Sequence, residues 1–503
     1  MRAPRFKKIA RVLALLFALT LAGVFGPPAV FLALVWLRDA PAALPMPAAG
    51  TNDASRLNPN LPAEVVAVAA DRAEAERQLV ALIARATDQR LRVSISGARH
   101  SMGGHTLYPG GIVLNMDGFN RLSLDADRRL LTAGAGARWS EIIPFLDRHG
   151  LSIGVMQSNN DFSVGGSLSV NCHGWQNDSP PISATVESFR LLTAAGAIVR
   201  CSRSVNTELF SLALGGYGLF GVILDAELRV VPNEFYQAEP HLIPAADYVR
   251  AYRELTRNRT DIGMAYGRIN VAPEGFMEDA LITLLTRTPP GSAVASTLAD
   301  APPPLLHRLV FRGGVGSDYG KNLRWRLERL VGQSSGAPLS RNQILNRPSD
   351  FYATRDPAAT DILHEYFIPA DQLGVFLVKS RDVLRKQRPD LLNITVRNVL
   401  PDPDTFLRYA PEEVFGLVML FNQARTPEAE TAMQVLTREL IDVAHDCRGR
   451  YYLPYRVHAT PAQFARAYPQ APAFFEFKRR HDPAGVFQNG FSAAYENPAS
   501  DAE

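Results

Sequence analysis

Cysteine is scarce in this 503-residue chain. Cys172, Cys201 and Cys447 lie far apart, and without a CxxC pair or a Cys/His cluster they suggest neither a metal site nor a disulfide framework. An excess of one charge is also missing. The 53 Lys and Arg stand against 50 Asp and Glu, a formal charge of +3, and no basic stripe interleaved with aromatics occurs, so no nucleic-acid partner is expected. The chain has no internal repeat. Charged residues make up only 20% and hydrophobic ones 47%, with a mean hydropathy of −0.06. That balance excludes disorder and a solvated coiled coil. At roughly 150 residues per domain the length allows about three structural units, and a small-molecule substrate is the expected partner.

One long stretch lacks charge entirely. Five basic residues (Arg2, Arg5, Lys7, Lys8, Arg11) precede Val12 to Leu37, 26 residues without a charged side chain. As a helix this stretch would reach about 39 Å, against roughly 30 Å of bilayer hydrocarbon. Gly26-Pro27-Pro28 is expected to break it, leaving the 15 residues Val12 to Gly26, a length that also suits a leader peptide. The nearest small-x-small site, Ala40-Pro41-Ala42, follows the second apolar half and contains proline, which favours an uncleaved, single-pass anchor. The basic flank then stays in the cytoplasm and the catalytic part lies on the non-cytoplasmic side of the membrane. No twin-arginine pair precedes the run.

The segment from Asp39 to Pro62, rich in Pro, Ala and Asn, reads as a semi-extended linker. After it Val65 to Val68 predicts a strand, Asp71 with Glu74 a capped helix with Leu79, Leu82, Ile83 and Ala86 on one face, and Leu91 to Ile95 a second strand. This is a βαβ opening. Pro289 to Pro304 is a low-complexity loop. Around it, strands at Ala265 to Asn270, Ala280 to Leu285, His364 to Ile368, Ile394 to Val399 and Phe415 to Phe421 alternate with amphipathic helices, an α+β pattern.

Glycine gathers where a large ligand would need bare backbone. Ser96-Gly97-Ala98-Arg99-His100-Ser101-Met102-Gly103-Gly104-His105 follows the second strand, and its small residues let N–H groups converge on an anion. Its spacing is neither GxGxxG nor GxxxxGK[ST], which disfavours a Rossmann NAD site and a P-loop. Asp161 to Ser169 contains Val164, Gly165 and Gly166 and reads as a turn entering a helix, a second anion contact. His173-Gly174 comes next, and Gly215-Gly216-Tyr217-Gly218-Leu219-Phe220-Gly221-Val222-Ile223 ends in a β-branched strand. Three such segments within about 130 residues suggest one large ligand rather than three surface turns.

These motifs, in this order, resemble the vanillyl-alcohol oxidase type of flavoprotein with its FAD-binding domain of the p-cresol methylhydroxylase (PCMH) kind. The likeness rests on GARHSMGG, SVGGSLSVNCHG, ELFSLALGGYGLFGVILDAELRVVP and HDPAGVFQNGF. It is nearest the aldonolactone oxidase, alditol oxidase and decaprenylphosphoryl-ribose oxidase branch. After the anchor over 1–38 and the linker over 39–59, the resemblance implies an α+β chain with an FAD domain of two α/β subdomains over 60–233, a cap over 234–450, and a segment over 451–494 that returns to the flavin. It implies FAD as cofactor, held by Gly97, Ala98, Arg99, His100, Ser101, Gly103, Gly104, Asp161, Val164, Gly165, Gly166, Ser169, His173, Gly174, Gly216, Gly218, Gly221, Val222 and Ile223. His100 stands where many members bond the flavin covalently; a histidine merely hydrogen-bonded near the pyrophosphate is the alternative. Cys172 falls too late in the sequence for a second flavin link.

Flavin oxidation of a CH–OH carbon needs a group that takes the hydroxyl proton and a cation that holds the developing negative oxygen. Arg397 matches the arginine of the Glu-x-Arg motif in aldonolactone oxidases, with Thr395 in place of the glutamate, and Tyr455 stands where the decaprenylphosphoryl-ribose enzyme has lysine. Glu365, Tyr366 and His458 complete the candidates; for Arg397 the competing expectation is a surface pair with Asp402 or Asp404. The expected activity is hydride transfer from a sugar-like, alditol or lactone CH–OH to flavin N5, with oxygen, a quinone or a cytochrome as acceptor. C=C reduction of the sterol-reductase type and a flavin-free envelope binding protein are the rival expectations.

Overall fold

In the computed structural model, which describes residues 23–40, 42–288, 298, 304–331 and 337–496, the Asp71 side chain accepts from the Glu74 backbone N–H and starts α2 (Arg72–Asp88). That helix buries Leu79, Leu82, Ile83 and Ala86, the face expected from periodicity. Ahead of it, α1 covers residues 23–38 and β1 covers Glu64–Ala67. β2 (Val93–Ser96) and β3 (Ile112–Asn115) join β1 in a parallel sheet of order β1-β3-β2.

A second sheet begins with β4 (Leu122–Asp125) and β5 (Leu130–Gly134), followed by α3 (Trp139–Asp147), β6 (Leu151–Ile153) and α4 (Val164–Ser169). β7 (Val186–Leu192), β8 (Ile198–Ser202), α5 (Thr207–Ala213) and β9 (Val222–Pro232) complete it in the order β4-β5-β9-β7-β8, with β6 on β9.

Three residues past β9 the chain enters another sheet. β10 (Phe235–Pro244), α6 (Tyr248–Thr256), β11 (Ile262–Ile269), β12 (Asp279–Arg287), α7 (Leu305–Arg312), α8 (Asp318–Val331), β13 (Leu339–Ser340) and α9 (Arg341–Leu345) lead to β14 (Ala359–Pro369). Then come α10 (Leu373–Gln387), β15 (Asp390–Val399), β16 (Val414–Ala424), α11 (Pro427–Asp446) and β17 (Arg450–Tyr451). The eight strands run β13-β10-β12-β11-β15-β16-β14-β17, all antiparallel. With parallel and antiparallel sheets in separate units, the chain is α+β.

The C-terminal segment carries α12 (Pro461–Ala467), α13 (Ala471–His481) and α14 (Gly490–Tyr495). It returns to the first unit: the backbone N–H of Val93 donates to Val486 O and that of Gln488 to Val93 O, while Gly490 N–H donates to Gly104 O.

Two expectations are corrected here. Pro27 and Pro28 do not break the helix, which continues from Gly23 through Arg38. Proline's φ of about −65° is itself helical, and the ring's cost falls on one lost hydrogen bond and a clash on the preceding turn. Residues 12–22 of the uncharged run lie outside the described residues, as does most of the 289–304 loop. Among the described residues no helix is long and apolar enough to cross a membrane.

The linker is also not free. Asp53 and Ser55 are fully buried, with Asp53 Oδ2 accepting from the Gly104 N–H at 2.8 Å and Ser55 O from Thr360 Oγ1 at 2.7 Å. A short polar Asx-type turn hid this packing, because its partners lie far away in sequence.

Candidate active site

Period-2 alternation along β14 sets the site. Leu363, Glu365 and Phe367 point to one face of the cap sheet, and His364, Tyr366 and Ile368 to the other, toward α10 and α11. The register aligns Arg268 on β11, Thr395 on β15, Val418 on β16 and Glu365 on β14 in one cross-strand row. Arg397 lies two residues beyond Thr395 on the same face, paired with Gly416. A Cβ at Gly416 would stand 3.3 Å from Glu365 Oε1, so glycine leaves the carboxylate its room.

This face forms one wall of a cavity of about 1460 Å³. The opposite wall is built by the turn after β2, the turn into α4, and the entry to β9, with Gly97, Ala98, Arg99, His100, Ser101, Asp161, Gly165, Gly166, Ser169, His173, Gly218, Gly221 and Ile223 all lining it. A single small ligand fills roughly 300–1,000 Å³, so the space suits a dinucleotide together with a substrate.

The cofactor wall is a backbone cradle. A Cβ on Gly97 would overlap Ser163 Oγ, which accepts from the Ala98 N–H at 3.2 Å, and one on Gly165 would sit 2.9 Å from Ala135 Cβ. Gly218 and Gly221 have φ of +73° and +143°, a region costly for other residues. Buried polar atoms without a protein partner, Ser101 Oγ, Asp161 Oδ1 and His173 Nδ1, belong to the same lining. These residues fit a flavin dinucleotide.

Six residues expected at the cofactor do not line this cavity: Gly103, Gly104, Val164, Gly174, Gly216 and Val222. They support the wall from behind. Gly104 donates to Asp53, Gly174 packs on the Met156 carbonyl and Gly216 on that of Leu212, and Val164 and Val222 are buried core. A motif's outline is visible in the sequence, but not which of its residues face inward.

His100 Nε2 lies 3.5 Å from Asp161 Oδ2, and its ring stacks on Phe162 at 4.1 Å. Burial lowers its pKa, partly opposed by Asp161, which keeps the imidazole neutral. Cys172 is buried, and desolvation pushes its thiol up to about 12, so it is a poor nucleophile.

On the cap wall, His173 Nε2 lies 2.6 Å from Glu365 Oε1, and Tyr455 donates its hydroxyl to Glu365 Oε2 at 3.2 Å. Burial works to raise the Glu365 pKa, but His173, Arg397 and the Tyr455 hydrogen bond together hold it below the usual carboxylate value. Burial and the neighbouring carboxylate drive the Tyr455 phenol well above its ordinary value, so it stays protonated. Arg397 donates through Nη2 to Ser158 Oγ at 2.7 Å and through Nη1 to His173 O at 3.4 Å, leaving Nε without a protein partner. It is not paired with Asp402 or Asp404, which bind Thr405 and Arg203 instead.

The structure therefore brings Arg397, Tyr455 and Glu365 together and separates His458 and Tyr366 from them. His458 is a correction: it is buried behind the sheet, with Nε2 2.8 Å from Glu430 Oε1 and Nδ1 2.8 Å from Thr437 Oγ1. Tyr366 meets His364 on that same far side. His173, expected at the cofactor alone, also holds Glu365. Arg268 and Thr283 line the cavity too, and their strand alternation was the only sign of them.

Residues 67–202 match the FAD binding domain family. The chain is similar to an uncharacterized oxidoreductase in the fasciation locus of Rhodococcoides fascians, with 24% identity over 81% of this chain and 89% of that protein. It is similar to decaprenylphosphoryl-beta-D-ribose oxidase of Mycolicibacterium smegmatis, with 23% identity over 81% and 90%. To L-gulonolactone oxidase of Bos taurus the identity is 32%, but over only 30% of this chain and 34% of that one.

Proposed function

We propose that this chain, an FAD-dependent oxidoreductase of the PCMH-type FAD-binding flavoproteins, oxidises the CH–OH group of a sugar-like, alditol or aldonolactone substrate. The observation that carries this reading is the meeting of Arg397, Tyr455 and Glu365 on the wall facing the cofactor cradle. FAD in that cradle supplies the hydride acceptor.

The side chains divide the remaining work. Tyr455 already donates its proton to Glu365, so its oxygen lone pair is free to accept the substrate's hydroxyl proton while its own moves to the carboxylate. His173 holds Glu365 in place. Arg397 presents its guanidinium to the oxygen that becomes the carbonyl, where negative charge builds as the proton leaves and is discharged as the hydride departs. The names of the relatives, a lactone oxidase and an oxidase of a lipid-linked ribose, support a polyhydroxylated substrate. A covalent bond from His100 to the flavin belongs to this reading, since the imidazole lines the cavity in neutral form.

The reading includes a single-pass membrane anchor formed by the uncharged run from Val12 to Leu37, with the catalytic part outside the cytoplasm. Anaerobic mixing with a panel of sugars, alditols and lactones tests the activity. Flavin bleaching by a member of the panel, without NADPH, is the expected result. Reduction by NADPH alone, with reoxidation by an unsaturated compound, would replace this reading with C=C reduction.

A further inference from the structure

Ten of the eighteen large apolar side chains that stand exposed among the described residues share one region. α1 exposes Val24, Phe25, Val30, Leu34, Trp36 and Leu37; α7 exposes Leu305 and Leu306; α8 exposes Tyr319 and Leu330. The rest are scattered, as on any soluble surface.

α1 is fixed to these cap helices. Phe31 meets Tyr319 edge-on at 4.9 Å, in a slot bounded by two glycines: a Cβ would lie 2.9 Å from the Phe31 ring at Gly313 and 3.0 Å at Gly320. One residue past α1, the Asp39 carboxylate receives Nε and Nη2 of Arg308 at 2.5 and 2.6 Å. Arg308 is fully buried, so this bidentate pair is shielded from solvent screening. The exposed faces of α1, α7 and α8 are therefore held as one surface.

We propose that α7 and α8 are a second membrane contact, seated on the same phospholipid bilayer that α1 enters; this rests on the anchor described above. Three features favour a bilayer over a protein partner. The apolar surface continues into a sequence that stays uncharged back to Val12. Trp36 lies along it with the exposed Arg38 two residues on, and on α8 the exposed Arg329 adjoins Leu330, the aromatic and cationic residues of the headgroup level. Leu306 and His307, exposed at the start of α7, also line the flavin cavity, which places its mouth at the membrane surface.

The test uses the full chain with bound flavin, reconstituted into phosphatidylcholine and phosphatidylglycerol vesicles. Cysteine is placed singly at Leu306, Leu330, Trp36 or Val435 and labelled with an environment-sensitive fluorophore; the native Cys172, Cys201 and Cys447 are buried. Val435 is exposed on α11, behind the cap sheet. Spin-labelled lipids should quench labels at 306 and 330 as they quench 36, and severalfold more than 435. Quenching at 36 with 306 and 330 no different from 435 overturns the proposal and leaves the anchor standing. No quenching at 36 overturns both. Flavin content and substrate-dependent bleaching are read separately, so failure of the oxidoreductase reading is distinguishable from either.

Discussion

His173 Nε2 lies 2.6 Å from Glu365 Oε1, joining the end of the cofactor-binding segment to a cap strand 192 residues further on. Both side chains are buried, at 4% and 1% exposure, so the contact survives only because each group answers the other's desolvation. It ties the two walls of the cavity at the point where a proton must leave the substrate.

Glu365→Gln should therefore keep flavin but lose about 10²–10⁴-fold in the rate of flavin reduction, the range for a positioned proton acceptor. The pH dependence has a fixed sign. The carboxylate pKa is held below its usual value of about 4.3, so the working, ionised form persists at neutral pH and is lost only as pH falls through that lowered value. Stopped-flow reduction against pH should show this acidic limb in the wild type and not in Glu365→Gln.

Arg397→Ala should slow reduction by about 10²–10³-fold, as for removal of one donor to a developing oxyanion. Arg397→Lys should recover little, because an ammonium cannot reach Ser158, the His173 carbonyl and the substrate oxygen from one planar fork. A near-normal reduction rate with intact FAD would remove Arg397 from the reaction.

How much of this was legible in the sequence depended on distance along the chain. The Asp71 cap, the α2 face and the strand around Glu365 follow from neighbours within a few residues, and each reads correctly from periodicity. The glycine-rich turns were visible, yet which of their residues face the cavity is decided by contacts such as Met156 against Gly174. His458 was misplaced because the loop from Pro454 to Ala459 has no alternation to show which side it serves; its partners, Glu430 and Thr437, come from α11. The Glu365 partner, His173, lies on another domain and could be found only in three dimensions.

Gly97→Ala should cut flavin retention sharply, because the new methyl overlaps Ser163 Oγ at the cradle. Gly97→Ala with Ser163→Ala should restore part of it: the hydroxyl is gone and Ser163 Cβ would stand 3.2 Å away. Flavin absorbance per protein, measured with the thermal unfolding of each variant, separates this local effect from general misfolding.

Acid-precipitated protein should retain its flavin colour, and His100→Ala should release it. His105→Ala should not, since the His105 ring, though it too lines the cavity, packs against the Tyr217 and Phe491 rings. Full recovery of free FAD from the denatured wild type would exclude the covalent bond while leaving FAD binding intact.

The central claim, hydride loss from a CH–OH carbon at the Arg397, Tyr455 and Glu365 wall, is tested most directly by single-turnover flavin reduction with a substrate from the bleaching panel carrying deuterium at the carbinol carbon. The account predicts slower reduction with the labelled substrate and still slower reduction of both forms in Arg397→Ala. Reduction insensitive to the label, and unchanged in that variant, would contradict it.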